Sequence, residues 1–516
     1  MKLVKNVSKG WLIAVFLTAL GLISSGISPI NAQPQKPVYG GTLIVSTDTE
    51  PPGLDPTTIA AAATDRITYN NIMQGLVRID RDGNIVPAIA ERWEISEDGL
   101  KYTFYLRRNV KFHNGRLLTA EDVKFTFERA MDPATGVPLP KLFEDISKVE
   151  VIDDFTVKFT LKRVNANFPF YLAQGDSVIV AKEEVDRLKS HPIGTGPFKF
   201  VEWVRGDYVA LERFEDYYGT DAQGNKLPYL DRVIFKFIPD PAVAVAALQA
   251  GDIDVIGYAG IAPERVPEVK ADPRFKVIEG LTTTDVILST NNSKPPFNDK
   301  AIRRAMCHAI DREEIINLAM YGYGIPIGSH ASPLDPFYLD MTWVCEYNPE
   351  KSKKLLAIAG YPDGFKATLK LPIPYAYAIR TGEVIKNQLA KVGIELKIEL
   401  IEWGRWLSEV FKEANYDLTV IGHAEPFDIY IYANPNYYFR YNNPEVQELI
   451  KQGESTVDPE KRKLIYWKVQ WIIADDAVNG FLFNLPLLTA MKKEVEGWWK
   501  DVPIHNLDVT EVYKYE

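Results

Sequence analysis

Polar and ionisable residues follow a predicted strand in segment 422–428, which reads Gly-His-Ala-Glu-Pro-Phe-Asp. That strand is predicted over 417–421, which is rich in β-branched residues. In α/β folds, side chains at the carboxyl end of a strand are well placed to meet a ligand. His423, Glu425 and Asp428 are therefore candidate ligand-binding residues, and a solvated loop is the alternative interpretation.

Two tryptophans, Trp403 and Trp406, follow another predicted strand. Tryptophan offers a large rigid face that can stack on a sugar or cover a peptide side chain. Trp403 is therefore a candidate pocket wall, with core packing as the alternative. Weaker ligand-binding candidates are Asn291 and Asp55, the latter in the proline-rich loop 50–56.

The sequence lacks the common local signatures of catalysis. It has no Gly-x-Ser-x-Gly, no phosphate-loop lysine, no His-Glu-x-x-His and no Cys-x-x-Cys. The histidines lie scattered at positions 113, 191, 308, 330, 423 and 505, and one histidine beside carboxylates is weak support for a metal site. We predict a binding protein without a cofactor or bound metal. The alternative is a secreted hydrolase whose catalytic groups converge from distant positions.

The amino-terminal 32 residues have the features of a secretory signal. Lysines at positions 2, 5 and 9 precede an apolar run over 11–23, and cleavage is expected after Ala32. No cysteine lies near that position, so we expect a periplasmic chain without a lipid anchor. Removing these residues takes away three lysines and no acids, which changes the formal net charge from −10 to −13. So acidic a chain argues against nucleic acid or an anionic membrane surface as a partner.

The sequence contains only two cysteines, Cys307 and Cys345. In an oxidising compartment the pair can form one disulfide, although a chain of this size does not require it. Metal binding by the pair is disfavoured because no other Cys or His lies at ligand spacing around them.

The periodicity of the chain predicts mixed α/β structure. Apolar residues alternate with polar ones over 102–106 and 157–161, as in half-buried strands. Between these strands, Thr119 and Asp122 form a capping-box pattern at a helix start. Later, strands over 366–373 and 394–402 flank a helix, which favours a parallel pair. Single cores stop growing near ~250–300 residues, so the length predicts two or more lobes.

Several motifs occur in an order that resembles one family signature. They are Gly75-Leu76-Val77, Pro87-x-Ile89-Ala90-Glu91-x-Trp93-Glu94, Asp98-Gly99-Leu100-Lys101-Tyr102, Val110-Lys111-Phe112-His113-Asn114-Gly115, Gly194-Thr195-Gly196-Pro197-Phe198 and Ala309-Ile310-Asp311-Arg312. The chain resembles the family 5 extracellular solute-binding proteins, which serve peptide- and nickel-type ABC importers. The resemblance covers essentially the whole mature chain.

This resemblance implies a two-lobed periplasmic binding protein fold with an extra α+β domain and a cleft that closes by hinge motion. Lobe I would comprise 33–80, 195–281 and 482–516, with the extra domain at 81–194 and lobe II at 282–481. A monomer would hold its ligand between the lobes and deliver it to an ABC permease.

The resemblance also bears on the ligand. Peptide-binding members carry Gly-Trp-x-x-Asp where this chain has a shortened Gly-His-Ala-Glu at 422–425, and Trp403 matches an aromatic that lines their pocket. Dipeptide-type members place an arginine before a Pro-Tyr pair, but Tyr375 and its proline follow an isoleucine, so Arg380 or Arg405 would have to replace that arginine. Tyr375 remains a candidate contact. We expect a peptide or another small polar solute. The alternative ligands are an oligosaccharide, an opine and a metal chelate. The alternative role is that of a sensor without a transporter.

Overall fold

The computed structural model describes residues 36–59, 61–258 and 260–515. The predicted signal sequence, residues 1–32, lies outside this part of the chain. Among the helices described, none is both long and apolar enough to cross a membrane.

The strands are distributed along the whole described chain. They are β1 (Thr42–Thr47), β2 (Val77–Ile79), β3 (Ile85–Pro87), β4 (Ala90–Ile95), β5 (Lys101–Leu106), β6 (Ile146–Asp153), β7 (Thr156–Leu161), β8 (Phe198–Val204), β9 (Tyr208–Arg213), β10 (Arg232–Phe237), β11 (Val255–Ile256), β12 (Phe275–Thr290), β13 (Ile325–Pro326), β14 (Phe365–Pro372), β15 (Ile394–Ile401), β16 (Leu418–His423), β17 (Asn479–Lys492), β18 (Val495–Glu496) and β19 (Tyr513–Lys514).

The helices are concentrated in the second half of the chain. They are α1 (Ala62–Thr68), α2 (Ala120–Met131), α3 (Phe168–Leu172), α4 (Pro241–Ala250), α5 (Val266–Ala271), α6 (Lys300–Ala309), α7 (Arg312–Ala319), α8 (Pro349–Ile358), α9 (Ala376–Ala390), α10 (Trp403–Arg405), α11 (Pro444–Ser455) and α12 (Pro459–Asp475). A π-helical stretch, Trp406–Lys412, continues directly from α10.

One large mixed sheet extends through most of the fold. Its order is β15-β14-β16-β12-β17-β11-β1-β10-β9-β8, and β13 adds to β17. The two longest strands, β12 and β17, pair antiparallel in the middle of this order. Their register is interrupted between Leu281 and Asp285, opposite Pro486 and Asn484. Strands β4-β5-β7-β6 form a separate antiparallel sheet.

The buried apolar side chains form separate clusters on the two sides of this interruption. One cluster draws on residues between Leu43 and Val255 and on residues between Met491 and Val512. Two others lie entirely within Val286–Phe483. Packing therefore concentrates in two parts of the chain that β12 and β17 connect.

The local sequence predictions agree with this architecture. The period-two segments form β5 and β7, and Thr119 and Asp122 make both bonds of a capping box at the start of α2. Strands β14 and β15 pair in parallel, as the strand–helix–strand pattern predicts. Cys307 and Cys345 form a disulfide that joins α6 to the turn Thr342–Cys345.

His113 fastens the Gly194-Thr195-Gly196 motif to the preceding part of the chain. Its Nδ1 accepts a 3.3 Å bond from the Gly194 N–H, so its Nε2 carries the proton and donates to the Gly196 carbonyl at 3.0 Å. Burial lowers the pKa of His113 from 6.5 to about 4, and the hydrogen bond to Gly196 offsets only part of this effect. A second proton would remove the acceptor that Gly194 uses.

Acidification should therefore destabilise the protein through His113. Between pH 6.5 and about 4 the unfolded chain binds a proton that the folded chain does not, so the free energy of unfolding falls as pH falls. The shift corresponds to a loss of at most about 3 kcal/mol. Urea unfolding at pH 7 and at pH 4.5 measures it. A His113→Gln variant should be less stable than the wild type at pH 7 but lose less stability on acidification, and an unchanged pH dependence in this variant would contradict the account.

Candidate ligand-binding site

Segment 422–428 begins inside the sheet rather than in a loop. The sequence predicts a strand ending at 421, but β16 continues to His423 because Gly422 and His423 pair with Val286 and Asp285 of β12. The Gly422 N–H donates to the Tyr377 hydroxyl at 3.1 Å. His423 is therefore held by the sheet, which fixes the start of the segment that carries Glu425 and Asp428.

Asp428 lies between two histidines. One carboxylate oxygen is 2.6 Å from His330 Nε2 and the other is 3.4 Å from His423 Nδ1. Burial alone would raise the pKa of Asp428, but the charges and hydrogen bonds of the two histidines outweigh burial and hold that pKa well below its usual range. Both oxygens of Asp428 thus face histidine nitrogens, which leaves Asp428 poorly placed to bind a ligand ammonium.

Glu425 faces a cavity of about 430 Å³. Lys141 from the first half of the chain lines this cavity together with Tyr430, Tyr437 and Glu454 from the second half. Burial, with the negative charge of Asp428 as a smaller contribution, raises the pKa of Glu425. Of the two acids predicted in segment 422–428, Glu425 is the one with a carboxylate available to a cationic group.

Two further acids that the sequence did not single out, Asp65 and Asp176, belong to the same region. Burial raises the pKa of Asp65 well above its usual value, and the charges of Asp176 and Glu425 raise it further. Burial and the charge of Glu425 likewise raise the pKa of Asp176 to about 6. Gly175 makes room for Asp65, since a Cβ at that position would lie 2.4 Å from Asp65 Oδ1. Three carboxylates from distant parts of the chain therefore act on one another.

Trp403 belongs to an aromatic group beside a second cavity. Its ring stacks on Trp406 with a centroid distance of 4.9 Å and meets the edge of Tyr375 at 5.2 Å. Tyr375 and Tyr377 line a cavity of about 380 Å³, which Arg380 also lines. Trp406 is buried whereas Trp403 is partly exposed, so Trp406 packs in the core and Trp403 keeps some accessible surface.

Two of the weaker predicted contacts, Asn291 and Asp55, are hydrogen-bonded within the protein. Asn291 donates from Nδ2 to the carbonyls of Ala414 and Tyr416, and it directly follows the last residue of β12. Asp285, the partner of His423, lies five residues before that end of the strand, or roughly 17 Å away. Asn291 is therefore not brought to His423, and its amide secures a loop.

Asp55 is buried and its carboxylate is used within its own turn. It accepts from the N–H and hydroxyl of Thr57 and from the Thr58 hydroxyl, and Arg129 lies 3.6 Å away. These groups occupy both oxygens of Asp55, and its contact with a ligand stays a prediction. Polar residues after a strand often fasten a turn, and the sequence pattern does not distinguish this role from ligand binding.

Comparison with known families decides the classification. The model of the middle region of the bacterial extracellular solute-binding proteins, family 5, matches residues 84–443. This chain belongs to that family. Its members are binding proteins that act outside the cytoplasm, and the fold is the two-lobed α/β fold that solved members share.

Relatives cover the chain over nearly its full length. The dipeptide-binding protein of Escherichia coli K12 is 29% identical, over 94% of this chain and 97% of the relative. The oligopeptide-binding protein AppA of Bacillus subtilis is 31% identical over 94% of both chains, and its structure with a nonapeptide superposes with a TM-score of 0.74 over 93% of this chain and 100% of that one. The binding protein AgaA from A. tumefaciens R10, solved with agropinic acid, has 30% identity and a TM-score of 0.73 over 92% of this chain and 99% of that one.

Proposed function

We propose that this family 5 solute-binding protein captures a peptide with a free amino terminus, or a similar cationic polar solute, between two lobes and delivers it to an ABC permease. The observation that carries the ligand class is the group of carboxylates Asp65, Asp176 and Glu425. An ammonium group entering among them gains charge-assisted hydrogen bonds.

The charges that surround these acids favour a cation. The neighbouring charges that shift the pKa of Asp176 and Glu425 are those of other carboxylates, and only Arg66 opposes them at Asp65. Carboxylates kept close together in a partly buried site repel one another, and a ligand ammonium relieves that repulsion. An anionic or neutral solute would leave it unrelieved.

The second cavity provides groups for the remainder of such a ligand. Arg380 lines it, with one donor, Nε, bound to the Ala319 carbonyl at 2.6 Å. Its other guanidinium nitrogens are suited to a ligand carboxylate. Arg405, the other arginine that the sequence offered for this role, is exposed and paired with Glu399 and Glu409. Arg380 is therefore our choice for the acidic end of the ligand.

We place the hinge at the register interruption of β12 and β17. The predicted lobe boundaries at 281/282 and 481/482 fall on these two strands. Two observations support them: the interruption between Leu281 and Asp285, and the separation of the buried clusters on either side. A few residues at strand irregularities can absorb the backbone rotation of domain closure.

Trp403→Ala should weaken ligand binding by about 1–3 kcal/mol, because a partly exposed aromatic wall loses its contact area with the ligand. Trp471→Ala provides a control, since Trp471 is 46% exposed and lies on α12, outside both cavities. Titration calorimetry with the tightest solute found for the wild type measures both variants. If Trp403→Ala binds as tightly as the wild type, Trp403 is not part of the site.

The ligand class can be tested on the protein as cells produce it. The mature chain is purified without unfolding, and the small molecules released on denaturation are identified by mass spectrometry. Peptides or other amine-bearing solutes support the proposal. Neutral sugars or purely acidic solutes would overturn the ligand class while leaving the family assignment intact.

A further inference from the structure

His330, His423 and Asp428 form a compact group of metal-ligating side chains. One donor atom from each, an imidazole nitrogen or a carboxylate oxygen, lies within 4.8 Å of the other two. The shortest approach is 2.6 Å, between His330 Nε2 and Asp428. The two imidazole rings meet edge to face with centroids 5.0 Å apart. The sequence did not indicate that His330 belongs to this group, since it lies 93 residues before His423.

In each imidazole, the ring nitrogen that does not face Asp428 (the outer nitrogen) has its own hydrogen-bond partner. His330 Nδ1 lies 3.2 Å from the Tyr432 hydroxyl, which in turn accepts from Asn479 Nδ2 at 3.0 Å. His423 Nε2 lies 3.0 Å from the Tyr438 hydroxyl. A histidine that binds a metal through one ring nitrogen characteristically hydrogen-bonds through the other. That bond fixes the ring and directs the lone pair of the metal-binding nitrogen.

A neighbouring carboxylate supplies an independent indication of a cation. Asp285, directly opposite His423 across the strands, is 3% exposed, and its Oδ1 has no hydrogen-bond partner in the described structure. The charges of Asp335 and Asp428 both act on it. A buried carboxylate oxygen without a partner costs free energy that a nearby cation offsets.

We infer that His330 Nε2, His423 Nδ1 and an Asp428 carboxylate oxygen bind a divalent transition-metal ion such as Zn²⁺. Two imidazoles and one carboxylate are an established ligand set for zinc, and they leave a fourth position free. Ligand atoms of a tetrahedral zinc site lie about 3.3 Å apart, given Zn–N distances of about 2.0–2.1 Å. The observed separations straddle this value, so small side-chain rotations suffice.

The surroundings supply access to the site and a further carboxyl group. Asp428 lines the cavity of about 430 Å³ that Glu425 faces, so an ion and the atom in its fourth position can enter from that side. Asp285, opposite His423 across the strands, adds a further buried carboxyl group that is not one of the three ligands.

Zinc binding to the untagged mature protein tests the inference. The protein is treated with a chelator, dialysed and titrated with ZnCl₂ by calorimetry, and the bound metal is counted by elemental mass spectrometry. We expect one ion per chain with an affinity in the micromolar range or tighter. Absence of stoichiometric zinc in the wild type would by itself overturn the inference.

Variants assign the ion to these residues. His330→Ala, His423→Ala and Asp428→Asn should each weaken zinc binding by at least about tenfold, whereas His191→Ala, at an exposed histidine, should leave it unchanged. Tyr432→Phe keeps all three ligands and should weaken binding by about tenfold or more through the lost outer-nitrogen bond, which also covers the case in which an alanine variant fails to fold. Undiminished zinc binding in the folded ligand variants would contradict the assignment.

Discussion

Glu425→Gln is expected to weaken the binding of free-amino peptides by about 10- to 100-fold, or about 1.5–3 kcal/mol, because it removes a hydrogen bond assisted by full charge. The same variant should bind peptides with an acetylated amino terminus as the wild type does. Glutamine has nearly the size of glutamate, so the shape of the cavity that the side chain lines is preserved. Titration calorimetry with pooled tripeptides to pentapeptides, in free and acetylated forms, measures the difference.

Two comparisons separate this effect from a general loss of negative charge. Glu97→Gln removes a charge from an exposed position and should leave the affinity unaltered. Asp65→Asn removes another carboxyl group of the same acidic group and should also weaken the binding of free-amino peptides selectively. An equal loss of affinity for free and acetylated peptides in the Glu425 variant would show that Glu425 contributes packing rather than recognition of an amine.

Gly194→Ala is expected to lower the free energy of unfolding by about 3 kcal/mol or more. A Cβ at position 194 would lie 2.1 Å from the Ile72 carbonyl oxygen and 2.8 Å from its carbon, and both atoms belong to the backbone, so one of the two segments must move. The movement would also disturb the bonds between Gly194 and His113. Urea unfolding at pH 7 measures the loss.

The appropriate control is Gly404→Ala, where a Cβ would meet nothing within 4 Å. Position 404 lies in α10, where alanine is the better helix former, so this variant should be neutral or slightly stabilising. A Gly194 variant as stable as the wild type would show that the segments of Ile72 and Gly194 can separate at little cost, contrary to the packing described here.

Much of the fold could be predicted because its determinants are local. The alternation at β5 and β7, the capping box at α2 and the parallel pair of β14 and β15 each depend on residues close in sequence. The end of β16 could not be placed, because its last residue, His423, remains in the strand through pairing with Asp285, which lies more than a hundred residues earlier.

The candidate site was predictable only in part, and for a similar reason. Glu425 was found because it follows a strand end, whereas the amide of Asn291, a weaker candidate, secures a loop. Asp65 and Asp176 gave no local signal, since they reach the site only through tertiary structure. His330 was one of six scattered histidines until the fold placed it against Asp428.

A thermal-shift screen of the mature protein tests the central claim most directly. The panel pairs each free-amino peptide with its acetylated form and adds neutral sugars and acidic opines at equal concentration. A solute that binds only the folded state raises the melting temperature, and the rise grows with the ratio of its concentration to its Kd. We expect free-amino peptides to raise it and their acetylated partners to raise it far less. A response confined to the sugars or opines, or equal responses to both peptide forms, would contradict recognition of a cationic ligand by the acidic group.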